Sequence, residues 1–430
     1  MGSLQTHTLG CKVNHADVQA VAECLPARGN RLNASLVGTC CVTAEGEKQS
    51  RQEVRRAARR VGPGGRVFVI GCAARLKPET FSGLADNVVV VAGEPDEAAA
   101  AIAAVLDGAG PAAAGLQGAE TDAGAEAAAG LRAGAEAAAP GRTRFFLKIQ
   151  DGCANGCSYC VIPQVRGRPR SVPLEKVRES AAKMIAAGFS ELVVTGINAG
   201  SWRDGGLELA DLLEVLAAAP GLKRLRLSSI EAGRVTPRLL EVMQRRRAIC
   251  GHLHLPLQSG DDGVLAAMGR RYDAAAFMEA VSHVRAMLPE VNLTTDVIAG
   301  FPGEDEAAFE NTMRLVEAAG FSKVHVFTYS PRPGTAAALM GDTVPPGEKK
   351  RRSLAMRKLS ERLQDVYRQR KVGLTSEILL ESPVAPGVQG GYSTDYTRFE
   401  VRGGAPGEVA LVRGTGVSSS GVVGEVIEHE

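Results

Sequence analysis

Apolar residues along the chain fall into three successive patterns, and each predicts a different kind of element. Through residues 1–107, continuous apolar runs such as "RVFVIGC" and "NVVVVAG" are bounded by glycine and alternate with stretches of helical length. Uninterrupted short runs of this kind predict strands buried on both faces, as in a parallel sheet covered by helices. From residue 141, "FFLKIQ", "ELVVTG", "KRLRLSS", "GHLHLPLQ", "LTTDVIAG" and "SKVHVFTY" recur between segments of helical period. Six strand–helix units predict a parallel barrel or partial barrel whose chemistry sits at the C-terminal strand ends. The last residues, 372–430, change again. "SEILLES", "TRFEVR", "EVALVRG" and "GVVGEVIEH" are short strands between Gly-rich turns, the pattern of a small antiparallel barrel.

Residues 108–140 fit none of these patterns. They are almost all Ala and Gly, with the near-repeat "GAEAAAG…GAEAAAPG" and four acids (Glu120, Asp122, Glu126, Glu136) against one base, Arg132. Such composition predicts a linker or expanded loop. The expected organisation is therefore an N-terminal doubly wound α/β domain (1–107), a linker (108–140), a partial (β/α)6 barrel (141–371) and a C-terminal antiparallel β-barrel (372–430).

With 430 residues the chain has ample material for two to four domains. Its 50 basic and 48 acidic residues leave a formal charge of +2, so whole-chain charge says little about partners. No run approaches the ~18 apolar residues of a membrane span, and the N-terminus lacks a basic-then-apolar leader pattern. "MGSLQT" fits a loose acylation pattern, but "THTLGC" follows at once as a buried strand, and the acylation reading is set aside. The expected setting is cytoplasmic, without a membrane partner. Nine cysteines in such a chain point to metal or redox chemistry more than to disulfides.

The segment "DGCANGCSYC" concentrates three of them, Cys153, Cys157 and Cys160, with His252 and His254 far downstream. Structural zinc and ordinary iron–sulfur sites are closed by four ligands, so three leave one metal position open. A zinc knuckle or a ferredoxin-like carrier would need a fourth ligand, and neither explains six strand–helix units. A second triplet is spread through the first domain. Cys11 lies in "HTLGCKVNHAD", Cys40 in "GTCCVTAEGEKQSRQ" and Cys72 in "VFVIGCAAR", each just past a strand-like run. A parallel sheet would gather all three along one edge. Packing alone accounts better for Cys24 and Cys250.

The spacing C-x3-C-x2-C resembles that of radical S-adenosylmethionine (SAM) enzymes, and the wider pattern resembles one group of them, the methylthiotransferases. "IQDGCANGCSYCVIPQVRGRPRS", "HLHLPLQSGDDGVLAAMGRRY" and "DVIAGFPGEDE" carry the likeness, which runs over nearly the whole chain except the Ala/Gly insert. "LGCKVN", "HLHLPLQSG" and "HVFTYSPRPGTAAA" look most like the bacterial-type enzymes acting on tRNA N6-threonylcarbamoyladenosine. The isopentenyladenosine enzymes usually read "GCQMN" at the first motif, and the ribosomal-protein enzymes "GCPKN". Two departures stand out. The family commonly has Asn two residues before its second cysteine, where this chain has Gly38, and Cys41 adjoins Cys40. Either thiol could ligate; aligning "TCCVT" with the family's T-C-x-V-T selects Cys40 and leaves Cys41 as a packed or spare thiol.

The resemblance implies two [4Fe–4S] clusters, one on Cys153, Cys157 and Cys160 that binds SAM, and an auxiliary one on Cys11, Cys40 and Cys72. It implies replacement of an adenosine C2–H by S–CH3, with a reductant such as flavodoxin or ferredoxin and a sulfur donor as partners. Position suggests SAM contacts: Tyr159 between two of the cluster cysteines, and Gly196, Asn198, Glu231, Gln258, Ser259, Gly300 and Gly303 at strand ends. In the family the C-terminal barrel is a TRAM domain that binds tRNA. Here "GYSTDYTRFEVR" offers Tyr392, Tyr396, Arg398 and Phe399 for stacking and phosphate contact. Residues 348–371 add ten Lys/Arg against three acids, with Leu354, Met356, Leu359, Leu363 and Val366 as an apolar side. Arg166, Arg168 and Arg170, and Arg55, Arg56, Arg59 and Arg60, would extend a phosphate track. The competing expectations are methylthiolation of isopentenyladenosine or of a ribosomal protein, and, in another class, a non-catalytic iron–sulfur RNA-binding protein.

Overall fold

The computed structural model describes residues 4–25, 33–107 and 143–429, so the expected linker lies outside the described residues. In the N-terminal domain β1 (Gln5–Thr8), β2 (Ala34–Thr39), β3 (Arg66–Gly71) and β4 (Val88–Val90) form one parallel sheet, ordered as in the sequence. Helices α1 (Lys12–Cys24), α2 (Ala44–Val61), α3 (Cys72–Leu76), α4 (Glu79–Ser82) and α5 (Pro95–Leu106) complete it. Leu36, Phe68 and Ile70 pack with Val18 and Val21 of α1 and Ile102 of α5. Their neighbours Val37, Val67 and Val69 face the opposite layer, with Val54 and Ala57 of α2. Successive side chains thus enter different cores, which is why these strands read as unbroken apolar runs. Helix starts follow local chemistry. The Thr43 hydroxyl accepts the Gly46 N–H (3.0 Å) before α2, and Glu94 and Glu97 form a reciprocal capping box at α5.

The central domain contains β5 (Arg144–Asp151), β6 (Arg170–Ser171), β7 (Glu191–Gly196), a small hairpin of β8 (Arg203–Asp204) and β9 (Leu207–Glu208), β10 (Arg224–Leu227), β11 (His252–His254), β12 (Asn292–Ala299) and β13 (Lys323–Thr328). One sheet runs β10-β7-β5-β6 and another β11-β12-β13. Parallel bridges Leu225–Ile249 and Ser229–His254 join them. The six parallel strands β5, β7, β10, β11, β12 and β13 therefore stand in chain order as an open half-barrel, the expected (β/α)6 arrangement. One large apolar core unites their inner and outer layers, including the fully buried Trp202, Leu212 and Phe277.

Strands β14 (Thr375–Ala385), β15 (Val388–Ser393), β16 (Arg398–Arg402), β17 (Val409–Val417) and β18 (Val422–His429) close into a barrel, ordered β14-β15-β16-β18-β17. Its interior is filled by Ile378, Leu380, Phe399, Val401, Ala410, Val412 and Val422. The helix Pro346–Gln369 leads into it and buries Met356 and Leu359, with Leu363 partly covered, whereas Leu354 and Val366 are exposed. Its apolar side is thus narrower than the sequence pattern suggests. Among the described residues no helix is long and apolar enough to cross a membrane.

Candidate active site

The loop after β5 carries the first triplet. Gly152 (φ +71°) and Gly156 (φ +73°) turn the chain, and a side chain at Gly152 would collide with the Arg168 carbonyl. The Cys160 N–H donates to the Cys157 carbonyl (3.1 Å), and the Ser158 N–H to the Met268 carbonyl (2.9 Å). Cys153, Cys157 and Cys160 are free and partly exposed. Burial pushes the Cys153 thiol up and the Cys160 thiol up to about 12, each assisted by the neighbouring cysteines. Such thiols ionise when a metal cation supplies the balancing charge. Arg270 Nη1 donates to Cys157 Sγ (3.3 Å), and Arg270 also pairs with Glu231 (3.0 Å). Glu231 in turn accepts from Asn155 Nδ2 (2.7 Å) and Asn198 Nδ2 (3.4 Å). Asn198 Oδ1 is buried and has no hydrogen-bond partner among the described residues. Three free thiols with an unpaired amide oxygen nearby fit a cluster that receives a small polar ligand.

Of the expected SAM contacts, Gly196, Asn198 and Glu231 come together beside this loop. Sequence reasoning misses Asn155 and Arg270, because "MGRRY" reads there only as part of a family motif. Tyr159 packs edge-on against Phe301 (6.5 Å between rings) in a satellite cluster with Met268 and Tyr329. Ser259 is fully buried and its hydroxyl meets Thr312 Oγ1 (3.2 Å), so it braces the helix Glu306–Ala319. Gly300 (φ +79°) lies against the Lys349 stem, which a side chain at that position would strike. Gln258 adopts a left-handed backbone (φ 70°) where it bridges to β12. Gly303 (φ +83°) donates its N–H to Thr343 Oγ1 (2.8 Å).

The second triplet occupies the C-terminal ends of β1, β2 and β3. Cys11 precedes α1, Cys40 follows β2 directly, and Cys72 opens α3. Because the strands are parallel and adjacent, the three share one sheet edge. Gly10 (φ +93°) makes this possible, since a Cβ there would stand 2.9 Å from Cys40 Sγ. Gly38 has a local reason too. A side chain at that position would strike Val18 of α1, so this chain seats its first helix directly on β2. Burial pushes the Cys40 thiol up to about 11. Cys72 is held below its ordinary value by a hydrogen bond from Cys41 and by Arg166, whose Nε donates to Cys72 Sγ (3.2 Å). Cys41 belongs to the apolar cluster of Val37 and Val54. Among the described residues no three His, Cys, Asp or Glu side chains converge as on a single ion. Cysteines on an iron–sulfur cluster bind separate irons, so Cys11, Cys40 and Cys72 spread along one edge fit a cluster with one open iron, with Cys41 beside them as a fourth thiol packed in the apolar cluster.

A buried ionic network joins the two halves. Asp17 of α1 receives Lys148 Nζ (2.6 Å) and Arg166 Nη2 (2.9 Å), and both cations also reach Asp151 (each 3.0 Å). Burial alone would raise the Asp151 carboxyl, but Lys148 and Arg166 hold it well below the usual range. Here the expected phosphate track is corrected. Arg166 is 2% exposed and already shared by two carboxylates and Cys72, so it offers nothing to phosphate. Arg170 pairs with Glu94 (2.9 Å), while Arg168 and Arg55, Arg56, Arg59 and Arg60 are exposed. The basic helix is also less free than its composition suggests. Arg352 pairs with Glu304 (3.0 Å), Arg362 with Glu317 (2.7 Å) and Lys349 with Asp342. Lys350, Arg357, Lys358 and Arg370 remain exposed, without an ion-pair partner among the described residues.

A cavity of about 640 Å³ opens where the three domains meet. Cys11 and Lys12 line it from the first domain, Gly196 and His252 from the half-barrel, and Tyr392 and Tyr396 from the C-terminal barrel. The area that Cys11 exposes faces this cavity. The C-terminal barrel is docked by Arg224 and Arg226 of β10, which donate to the carbonyls of Tyr392, Ser393 and Thr394 (2.9–3.0 Å) while sharing Glu191. Tyr396 has a left-handed backbone (φ 67°) and stacks on Tyr392 at 5.0 Å. The expected RNA contacts are thereby divided. Tyr392, Tyr396 and Arg398 line the cavity, whereas Phe399 is fully buried inside the barrel because β16 alternates faces.

Residues 147–316 match the Radical SAM superfamily and residues 3–93 match Uncharacterized protein family UPF0004. The chain is 36% identical to the threonylcarbamoyladenosine tRNA methylthiotransferase MtaB of Thermotoga maritima, over 98% of this chain and 96% of that protein. The Bacillus subtilis MtaB is 34% identical over 94% and 91%. A tRNA-2-methylthio-N(6)-dimethylallyladenosine synthase from Novosphingobium aromaticivorans is 34% identical over 88% and 86%. In fold the chain is similar to TsrM of Kitasatospora setae, a radical S-adenosylmethionine methyltransferase (TM-score 0.54, 15% identity, 91% of this chain and 81% of that one). With relatives of this identity along nearly its whole length, and with a cysteine triplet in each of its two α/β domains, this chain belongs to the radical-SAM methylthiotransferase family.

Proposed function

We propose that this protein methylthiolates C2 of N6-threonylcarbamoyladenosine beside the anticodon of tRNA. The observation that carries the proposal is the shared cavity, which opens at once to Cys11, to the C-terminal end of β7 and to the stacked Tyr392 and Tyr396. Cys153, Cys157 and Cys160 would hold a SAM-binding [4Fe–4S] cluster, and Cys11, Cys40 and Cys72 the auxiliary one. When bound, these groups supply the radical and sulfur chemistry, while protein side chains supply orientation and exclusion of water. Asn155, Asn198, Glu231 and Arg270 surround the first cysteine loop and would orient the amino and carboxylate groups of SAM. Tyr392 and Tyr396 present ring faces to an unstacked base, a sequence-tolerant contact typical of loop RNA. Exposed Lys350, Arg357 and Lys358 would take backbone phosphates. A flavodoxin or ferredoxin would supply electrons and a separate sulfur donor would reload the auxiliary site, in the cytoplasm.

The test is nucleoside mass spectrometry of tRNA treated with the anaerobically reconstituted enzyme, SAM, reductant and sulfide. We expect the 2-methylthio derivative of threonylcarbamoyladenosine, with isopentenyladenosine tRNA a poor substrate. Equal turnover of the two tRNAs overturns the choice of base. Turnover of a ribosomal protein alone overturns tRNA as substrate.

A further inference from the structure

We infer that Lys12 is a specificity-determining residue that binds the carboxylate on the N6 substituent of the substrate base. The inference rests on the reading of threonylcarbamoyladenosine as substrate and adds the residue that recognises it. Lys12 follows Cys11 directly, at the first position of α1, and both line the shared cavity. Three cations surround the Tyr396 ring: Arg226 at 4.6 Å, Lys12 at 5.4 Å and Arg144 at 5.7 Å. Two of them are committed. Arg226 is bonded to Glu191 (2.7 Å), and Arg144 donates to Glu381 Oε2 (2.8 Å). Lys12 has no carboxylate partner among the described residues; its ammonium rests over the Tyr396 ring, and both residues line the cavity. The cavity is cationic as a whole. Lys12, Lys323, Arg368 and Arg398 line it against one acid, Asp296, which is itself in contact with His254 Nε2 (3.2 Å).

Adenine geometry selects Lys12 from these cations. C2 and C6 flank the same ring nitrogen, N1, so an N6 substituent turned to the N1 side, where its ureido N–H can donate to N1, lies along the edge that also carries C2. A base presented with C2 toward sulfur at Cys11 brings the end of its N6 substituent to the residues beside Cys11. Threonylcarbamoyl ends there in a carboxylate; an isopentenyl group ends in methyls. An unpaired ammonium at that place gains a charge-assisted hydrogen bond from the first and is left desolvated by the second, which is how a polar site rejects an apolar analogue.

The experiment measures binding of anticodon stem-loop RNA to the reconstituted holoenzyme by fluorescence anisotropy, with iron content and cluster absorbance matched between variants. The RNAs carry threonylcarbamoyladenosine, its carboxyl methyl ester, or unmodified adenosine. We expect wild type to bind the free acid about tenfold or more tightly than the ester. Lys12→Gln should bind acid and ester alike, near the wild-type affinity for the ester, and Lys12→Arg should restore part of the preference. If wild type prefers the acid and Lys12→Gln keeps that preference in full, the role of Lys12 is overturned and the substrate reading stands. If wild type binds all three RNAs equally, the substrate reading falls and the proposal falls with it.

Discussion

At the scale of single residues, the groups that matter most are those whose sequence neighbours conceal their partners. Glu191 opens β7, fully buried, and is shared by Arg224 and Arg226, the two side chains that dock the C-terminal barrel. Burial would raise its carboxyl, but the two guanidinium groups outweigh that and hold it at about 2, below the ordinary 4.5. A lowered folded-state value means stability that is fully present above pH 4.5 and is lost as pH falls toward 2. Glu191→Gln should therefore cost about 3 kcal/mol near neutral pH, where it strands two buried cations. The gap to wild type should shrink steadily between pH 4.5 and 2, where the wild-type carboxyl becomes protonated. Trp202, the chain's one tryptophan and fully buried in the same core, reports the urea transition. A gap that stays constant across that range would show that Glu191 is not the titrating group. Arg166 behaves in a parallel way. Beside the cysteine loop it reads as a phosphate contact, yet Asp17, distant in sequence, claims it.

At the scale of elements, the two triplets are built differently, and this has a measurable consequence. One sits within a single loop whose geometry is local: two left-handed glycines and a turn hydrogen bond. The other is assembled from three strand ends, so it depends on the register of β1, β2 and β3. The two should load independently. Replacing Cys153, Cys157 and Cys160 with Ala should leave about half of the iron and sulfide after anaerobic reconstitution, because the sheet edge with Cys11, Cys40 and Cys72 is untouched. Full iron retention in that variant would refute the ligand assignment. The spacing of the first triplet was legible in the sequence because its three cysteines share one loop. The strand-end position of the second was legible because each cysteine ends an apolar run. Cys41 packs in the core, as the alignment of "TCCVT" suggests; its hydrogen bond to Cys72 was not legible, because adjacent residues in a loop do not reveal which way each side chain turns.

At the scale of the whole molecule, the domains meet around a cavity to which all three contribute. Nucleic acid affinity then depends on charge left over after the domains have neutralised one another. Lys350, Arg357 and Lys358 carry such charge, so changing all three to Ala should weaken tRNA binding uniformly across tRNAs. The slope of log K against log salt should become shallower by roughly 0.9 for each phosphate that the enzyme no longer neutralises. An unchanged slope would place the RNA on another face. The sequence by itself determined the element types and the placing of one cysteine triplet in a single loop and of the other at three strand ends, because periodicity, strand-end position and spacing are local properties. Tertiary structure alone decided which charges are already paired, as with Arg166 and Arg352, and which aromatics face the shared cavity. Tyr396 turns into the cavity while Phe399, three residues on, fills the barrel. Such outcomes depend on partners brought from distant segments, and burial and ion pairing are set by those partners rather than by the residue's own neighbours in the chain.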